Sequence, residues 1–352
     1  MKTIKTGVIG CGLIAQMEWL PYLHELEEYE VVAVQDISRR AAEHCAKQYQ
    51  APYVFDDWRE LIRHPEIEAV VILNQCHTEV CIEAVRNKKH VIVEKPLCEN
   101  VNQAKRIEEA VCEENIVFMI GEMKRYDPGF LYAADIIAQM KSIRMLRFRD
   151  YCDGLVRSQN EILETVRRTD VDADLKNKLN QEFWEGMDAA TGDIPTEYYY
   201  HLLTGGAHDI AMLRAIMGDP ERVSYCDIWN GGNELEAAMV YGDKTRAFLE
   251  VGYTNHKWFD EEFVVYGEDQ TVHVQFPNPY LKNAPTMITV KRMEGNMVVE
   301  EKIETSYQEA FRNELLHFYN CICNNLEPVT NVREARMDLE LMAGILKAYQ
   351  KE

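Results

Sequence analysis

Two stretches near the start of the chain decide the fold: residues 6–15 read TGVIGCGLIA and residues 31–36 read VVAVQD. The apolar run before Gly10 predicts a buried strand, and Gly-x-Gly-x-x-Ala predicts a tight turn that opens a helix. Gly10 permits the turn, and Gly12 lets a pyrophosphate approach the backbone. Ala15 is small enough for the helix to pack closely against the sheet.

The start of that helix predicts a phosphate site, because its N–H groups are free and the helix dipole is positive there. Leu13 and Ile14 lie at this point and are predicted cofactor contacts. A Gly-rich turn that binds nothing is the alternative. The strand before the turn, the helix after it and an acid at the end of the second strand favour a bound dinucleotide.

That acid is Asp36, roughly twenty residues after the turn, where a carboxylate can accept hydrogen bonds from ribose hydroxyls. Asp36 and the adjoining Ile37 are therefore predicted contacts of NAD, since the carboxylate would repel a 2′-phosphate. Arg39 and Arg40 could instead receive that phosphate, so NADP stays the alternative cofactor.

The length, charge and cysteine content of the chain limit its possible functions. A chain of 352 residues with 47% hydrophobic residues predicts two domains with real cores, and its net charge of −21 opposes binding to nucleic acids or anionic membranes. No apolar run reaches the length needed to span a membrane, and the N-terminus lacks a signal-like region. Ten scattered cysteines without a Cys-x-x-Cys pair predict reduced thiols, a cytoplasmic location and no metal site.

The first third of the chain alternates strands and helices, which predicts a doubly wound parallel sheet with ligands at the carboxyl ends of its strands. Two motifs follow such strand ends. Asn74, Gln75 and His77 come after the run 69–73, and Glu94 and Lys95 come after the run 90–93; all five are predicted cofactor contacts. Next to a dinucleotide crevice, a lysine at a strand end is better explained as a substrate contact than as a surface ion pair.

Beyond residue 122 the pattern changes. Alternating residues 144–151 and six further runs between 223 and 292 predict a mixed or antiparallel open sheet, covered by helices on one face. We predict a dinucleotide-binding domain over residues 1–122 and an α+β domain over residues 123–352. Residues 155–200 are polar and helix-prone, which indicates an insertion that is either a solvated helical excursion or a lid or oligomer contact.

The motifs Gly10–Ala15, Asn74–His77 and Glu94-Lys95-Pro96 resemble those of the glucose–fructose oxidoreductase and inositol dehydrogenase family (Gfo/Idh/MocA). The similarity continues at residues 121–126 and 205–209, so it covers nearly the whole chain. It implies a nicotinamide-dependent dehydrogenase or reductase of sugars, polyols or related alcohols. It also implies that Lys95 and His208 act at the reacting carbon, with His208 as general base.

The resemblance also implies contacts around these two residues. Met123 would lie next to the nicotinamide. The predicted substrate contacts, besides Lys95 and His208, are Arg125, Tyr126, Asp150, His201 and Asp209.

Several positions depart from the family pattern. Thr204 and Ala211 stand where the family has acids, Leu73 stands where it often has proline, and Met123 where it often has asparagine. Asp209 or Asp150 could replace the missing acid. The cofactor half of the site is thus closer to the family than the substrate half, and inositol specificity does not follow.

Three functions remain open. The first is an NAD(H)-dependent oxidoreductase acting on a secondary alcohol of a sugar, glycoside or polyol, with C3 of a sugar as one candidate carbon. The second is a non-catalytic dinucleotide-binding sensor, and the third is an imine or enone reductase. The partners expected are a small-molecule substrate and further copies of the chain, forming a dimer or tetramer through the C-terminal sheet.

Overall fold

A computed structural model describes residues 2–153, 164–254 and 258–349. The chain divides into two compact units, each built from three segments. The first unit comprises Met1–Glu122, Leu163–Ala190 and Phe311–Met337, and the second comprises the remaining residues. Residues 163–190 and 311–337, which the sequence analysis placed in the second domain, therefore cluster with the first unit.

The first unit contains a six-stranded sheet in which every described pair is parallel. Its strand order is β3-β2-β1-β4-β5-β6, so the direction of winding reverses between β1 and β4. This is the predicted doubly wound arrangement. The strands are β1 (Ile4–Ile9), β2 (Tyr29–Gln35), β3 (Tyr53–Phe55), β4 (Ala69–Ile72), β5 (His90–Glu94) and β6 (Phe118–Gly121).

Eleven α-helices lie in the described residues. After a π-helical turn over Ala15–Trp19, they are α1 (Leu20–Glu25), α2 (Arg39–Tyr49), α3 (Trp58–Arg63), α4 (Thr78–Arg86), α5 (Val101–Cys112), α6 (Pro128–Ala138), α7 (Ala173–Thr191), α8 (Glu197–Thr204), α9 (Ala207–Met217), α10 (Ala310–Asn324) and α11 (Val332–Ala348). Short side chains cap the N-termini of several of them, including α2 and α5. The Ser38 hydroxyl accepts from the Ala41 N–H at α2, and Asn100 forms a reciprocal capping box with Gln103 at α5.

Later segments of the chain complete the core of the first unit. The Trp19 ring meets the edge of Phe311 with centroids 6.1 Å apart. At strand β6, which lies at the edge of the sheet, the Ile120 N–H donates to the Thr330 carbonyl at 2.8 Å. The Thr330 hydroxyl donates back to the Ile120 carbonyl at 2.7 Å. Residues 311–337 therefore pair the polar backbone of an edge strand as well as adding apolar surface.

Helix α7 packs into the first unit as well, although its sequence lies in the predicted insertion. Met187 is fully buried, and the Asn100 side chain donates to the Gly186 carbonyl at 2.9 Å. A Cβ at Gly186 would lie 2.9 Å from Glu99, so a larger residue would not fit there. One face of the C-terminal half of this helix therefore packs against the rest of the first unit, while most of its other residues are exposed.

The second unit contains an eight-stranded mixed sheet of order β14-β13-β12-β11-β7-β10-β9-β8. The described pairs are antiparallel except β7 with β10, which is parallel. The fold class predicted from the sequence is confirmed. The strands are β7 (Ile143–Asp153), β8 (Arg222–Trp229), β9 (Glu234–Tyr241), β10 (Thr245–Thr254), β11 (Asp260–Gly267), β12 (Gln270–Phe276), β13 (Met287–Glu294) and β14 (Met297–Glu304).

Strand β14 is not predicted by its sequence pattern. Its residues MVVEEKIE are mostly exposed, so no alternation of apolar and polar residues marks it. It pairs with β13 through a turn at Gly295, whose φ of +62° favours glycine.

Aromatic stacking and one ion pair hold the centre of the second unit. The rings of Phe148 and Phe263 stack with centroids 5.0 Å apart, and both side chains are buried. Lys124 Nζ lies 2.7 Å from Glu261 Oε2, with each side chain 4% exposed, and 4.1 Å from the centroid of the Phe276 ring. The negative face of that ring and the carboxylate together offset the cost of burying the ammonium.

All ten cysteines lie in the described residues and are free thiols. Within the described ranges, no helix combines the length and the low polarity that a membrane crossing requires.

Candidate active site

The Gly10 turn has the geometry that the sequence predicts. Gly10 has a φ of +96°, and its N–H donates to the Gln35 carbonyl at 2.7 Å. A Cβ at Gly10 would lie 2.8 Å from the backbone of Leu73 and Asn74, so no other residue fits without moving β4. Gly10 is therefore required for the contact between β1 and the end of β4.

Gly12, unlike Gly10, is not required by the packing around it. The nearest atoms to an added Cβ there belong to the guanidinium of Arg168, 3.9 Å away, so the fold itself would tolerate a side chain. The helix that follows has no side-chain cap at Ile14, and Leu13 and Ile14 are half-buried. The absence of a side chain at Gly12 therefore fits a ligand that approaches the backbone, as a pyrophosphate does.

Asp36 is tied to the same turn. One carboxylate oxygen accepts from the Cys11 N–H and the other from the Ser38 N–H, each at 2.7 Å. The side chain is 2% exposed, and Arg168 Nη1 lies 3.9 Å from it. Asp36 thus fixes the turn to the end of β2, while the adjoining Ile37 is exposed.

The loop after β4 is fastened to the loop after β5 by His77. Its Nδ1 donates to the Pro96 carbonyl at 2.9 Å and lies 3.3 Å from the Leu97 carbonyl. Burial lowers the pKa of His77, which favours the neutral ring. Of the residues predicted to contact cofactor here, His77 therefore positions the segment that follows Lys95. Asn74 and Gln75 line a cleft of about 570 Å³ beside α7.

Lys95 directly follows strand β5, and a cluster of carboxyl groups lies next to it. Glu94 Oε1 accepts from Trp19 Nε1 at 2.8 Å, and Oε2 accepts from the Lys95 N–H at 2.9 Å. Burial raises the pKa of Glu94 to about 7, opposed mainly by the positive charge of Lys95. Burial also raises the pKa of Glu314 well above its usual range, with help from the charges of Glu94 and Glu122.

Trp19 and Glu314 are neighbours of this strand end that the sequence does not predict. Trp19 lies one turn into the helix after the Gly-rich turn, and Glu314 lies in α10, more than two hundred residues along the chain. Neither residue carries a local pattern that would indicate a carboxyl cluster.

The second unit holds the other predicted site residues. His208 and Asp209 lie in the first turn of α9, and Asp209 is buried. Met123, Arg125 and Tyr126 lie in the 3₁₀ turn over Met123–Tyr126. Arg125 donates to the carbonyl of Ala211 in α9 at 3.3 Å, which connects this turn to the helix that carries His208.

Asp150 and His201 flank the glycine pair that precedes α9. A Cβ at Gly205 would lie 3.4 Å from Asp150 Oδ2 and 3.7 Å from the Tyr253 ring. The His201 ring lies against the same Tyr253, with centroids 4.0 Å apart, and its Nε2 bonds to Asn233 Oδ1 at 3.2 Å. Burial lowers the pKa of His201. His201 is thus held as a packed, hydrogen-bonded side chain.

Cys152 and Tyr253 add protonated groups around Asp150. The Cys152 thiol donates to Asp150 Oδ1. Burial and the charge of Asp150 raise the pKa of that thiol. Burial raises the pKa of Tyr253 to about 12. Near neutral pH both groups therefore keep their protons, and the Cys152 thiol can donate to a carboxylate at Asp150.

The first unit also contains polar contacts that the sequence analysis did not predict. Residues 164–170, from the predicted insertion, lie along the Gly-rich turn and the start of α2. The Gln16 side chain donates to the Val166 carbonyl at 3.1 Å and accepts from the Val166 N–H at 2.8 Å. The sequence marked this segment only as charged and helix-prone.

Comparison with known proteins points to one family. Residues 4–122 match the model of the Gfo/Idh/MocA oxidoreductase family with an NAD-binding Rossmann fold. An inositol 2-dehydrogenase of Paracoccus denitrificans is 35% identical over 144 residues, which span 39% of this chain and 42% of that protein. A scyllo-inositol 2-dehydrogenase (NAD⁺) of Bacillus subtilis is 22% identical over an alignment that covers 99% of this chain and 94% of the relative.

Two solved structures share the fold over nearly the whole chain. One is KijD10, a 3-ketoreductase from Actinomadura kijaniata in complex with NADP and TDP-benzene, with a TM-score of 0.76 and 17% identity, covering 99% of this chain and 98% of KijD10. The other is an apo scyllo-inositol dehydrogenase from Lactobacillus casei, with a TM-score of 0.72 and 19% identity, covering 99% and 96%. At these identities the likeness establishes the fold alone.

Proposed function

We propose a function from one premise: through residues 4–122, the chain belongs to the Gfo/Idh/MocA family of oxidoreductases with an NAD-binding Rossmann fold. On this premise the chain is an NAD(H)-dependent oxidoreductase of a secondary alcohol or ketone in a sugar, glycoside or polyol. The scyllo-inositol 2-dehydrogenase of Bacillus subtilis supports a substrate of this class, because its similarity extends over 99% of this chain.

One observation carries the proposal: chemistry-bearing residues follow four neighbouring strands of the parallel sheet. Gly10, Asp36, Asn74 and Lys95 come at or just after the carboxyl ends of β1, β2, β4 and β5, which are adjacent in the order β2-β1-β4-β5. In open α/β sheets, ligands bind outside these strand ends at the point where winding reverses. The position of the Gly10 turn therefore favours binding of a dinucleotide, and the position of Lys95 favours binding of a polar substrate group beside it.

We assign distinct roles to Lys95 and His208. When bound, the nicotinamide supplies or accepts the hydride. Lys95 holds the substrate oxygen and stabilises the negative charge that develops on it. His208 takes the proton from the hydroxyl during oxidation and returns it during reduction. Convergence of these two residues on one substrate is part of the proposal.

Asp150 is our candidate for the acid that Thr204 replaces. Its carboxylate lies 3.4 Å from the Cβ position of Gly205, the residue directly after Thr204. Asp150 belongs to strand β7, whereas Thr204 belongs to helix α8. A carboxylate can therefore lie in this region without an acid at position 204. Both residues are buried, with Asp150 5% and Asp209 1% exposed, so Asp209, in the first turn of α9, is the less accessible candidate.

The test uses Lys95→Ala, His208→Ala and the matched control Lys105→Ala, which removes an exposed lysine from α5. The change in nicotinamide absorbance is followed with a panel of sugars, glycosides and polyols, using NAD and NADP. Dinucleotide affinity is measured separately by calorimetry. We expect turnover to fall by about a hundredfold or more in the first two variants, with NAD affinity nearly unchanged. Wild-type rates in either variant would remove that residue from the mechanism.

A non-catalytic dinucleotide-binding sensor is the second candidate, because Thr204 stands where the family has an acid. This candidate predicts tight dinucleotide binding without turnover of any compound in the panel. Sugar binding, followed as a change in dinucleotide affinity, would then be the measurable response.

A further inference from the structure

A carboxylate from a distant segment contacts Ser38 and Arg40, in the stretch whose arginines could receive a cofactor's 2′-phosphate. Asp170 Oδ1 accepts from the Ser38 hydroxyl, and Oδ2 accepts from the Arg40 N–H at 2.9 Å. Both partners lie just after Asp36, at the start of α2. Asp170 is 132 residues from Ser38 along the chain, so no local motif connects the two.

The cations of this region are engaged as well. The Arg40 guanidinium donates to the Thr169 hydroxyl at 3.2 Å. Arg39 pairs with Glu43 at 2.7 Å and with Asp56 at 3.3 Å. The donors that could hold a 2′-phosphate are thus occupied by residues 169–170 and by neighbouring acids.

The segment is held at further points. Gln16 binds both backbone groups of Val166, and Arg168 lies beside Asp36 and over Gly12. Hydrogen bonds from Ser38 and Arg40 lower the pKa of Asp170, so it carries a full negative charge near neutral pH. Two carboxylates therefore bond to Ser38: Asp36 accepts from its N–H and Asp170 from its hydroxyl.

We propose that Asp170 is a specificity-determining residue that rejects NADP in favour of NAD, in addition to Asp36. The inference rests on the proposed function, since it requires that the Gly10 turn binds a dinucleotide. A 2′-phosphate carries a charge of about −1.5 to −2 near neutral pH, so a nearby carboxylate repels it. The ribose hydroxyls of NAD carry no charge and are not repelled.

The experiment is calorimetric titration of NAD⁺ and NADP⁺ into the wild-type chain, Asp170→Asn and Asp174→Asn. Asp174 is an exposed carboxylate in the first turn of α7, so its variant controls for the loss of one negative charge. We expect Asp170→Asn to bind NADP about tenfold more tightly relative to NAD, while the control keeps the wild-type ratio. Asp170→Ala is the second variant, should the asparagine disturb Arg40.

The outcomes separate this inference from the proposed function. A wild-type preference for NADP, a ratio of affinities unchanged in both Asp170 variants, or the same change in Asp174→Asn would overturn the role of Asp170 alone. If the wild-type chain bound neither dinucleotide, the proposed function would fail, and this inference with it.

Discussion

Glu94 makes the stability of the first unit depend on pH in a direction that can be worked out in advance. Its pKa is raised from the ordinary 4.5 to about 7, chiefly by burial. The folded chain therefore holds this proton more tightly than the unfolded chain does. The resulting stabilisation is complete below pH 4.5 and is lost as the pH rises through about 7. The difference between the two pKa values corresponds to about 3 kcal/mol.

Glu94→Gln isolates this effect. The amide stays neutral at every pH and still has an oxygen that can accept from Trp19 Nε1, although the Lys95 N–H then loses its acceptor. That loss is independent of pH, so it shifts the stability curve without changing its slope. Relative to the wild type, the variant should therefore gain about 2.5 kcal/mol in free energy of unfolding between pH 5 and pH 8.

The assay is urea unfolding of both proteins at half-unit steps of pH, followed by tryptophan fluorescence. Glu109→Gln, which removes an exposed carboxyl from α5, controls for the loss of one ionisable group. Parallel stability curves for the wild type and Glu94→Gln across this range would refute the assignment of a raised pKa to Glu94.

Further predictions concern the two glycines of the turn, the buried ion pair of Lys124 and Glu261, and the hydrogen bond of His77. Gly12→Ala should lower NAD affinity about tenfold or more in calorimetry with little change in the urea midpoint, because its Cβ has space; an unchanged affinity would count against the phosphate site. Gly10→Ala should instead lower the urea midpoint itself, since its φ is +96° and its Cβ would meet backbone; an unchanged midpoint would contradict this. Glu261→Gln should cost about 3–5 kcal/mol in urea unfolding by leaving the ammonium of Lys124 buried without its counter-charge, and a loss below about 1 kcal/mol would be inconsistent with that pair. His77→Ala should reduce turnover more than NAD affinity by loosening the segment after Lys95, and equal losses in both would argue against a positioning role.

Local patterns predicted the parts of the site that depend on neighbours in sequence. The turn at Gly10, the acid at Asp36 and the strand end before Lys95 each follow from a few consecutive residues, because backbone conformation and strand burial are set locally. The parallel order of the first sheet follows from the same alternation.

The other parts of the fold and of the site depend on contacts between distant segments, which produce no periodic pattern in the sequence. Asp170 looks like one charge in a polar stretch until the fold brings it to Ser38. Glu314 lies in an amphipathic helix whose partner is the end of β5, and strand β14 is too exposed to alternate. The sequence does not decide whether Asp209 or Asp150 supplies the carboxylate that Thr204 lacks. That choice depends on how β7 lies against α9, which neither segment indicates alone.

The hydrogen bonds between Thr330 and Ile120 of edge strand β6 have a consequence for biosynthesis. A nascent chain in which only residues 1–300 have left the ribosome lacks the groups that bond Ile120 and the aromatic ring that meets Trp19. The edge of its first sheet then displays unpaired backbone groups that invite association with other chains. The edge of the first sheet can therefore be paired only after residues 311–337 have been translated. A fragment that ends at Glu122 would keep these backbone groups unpaired.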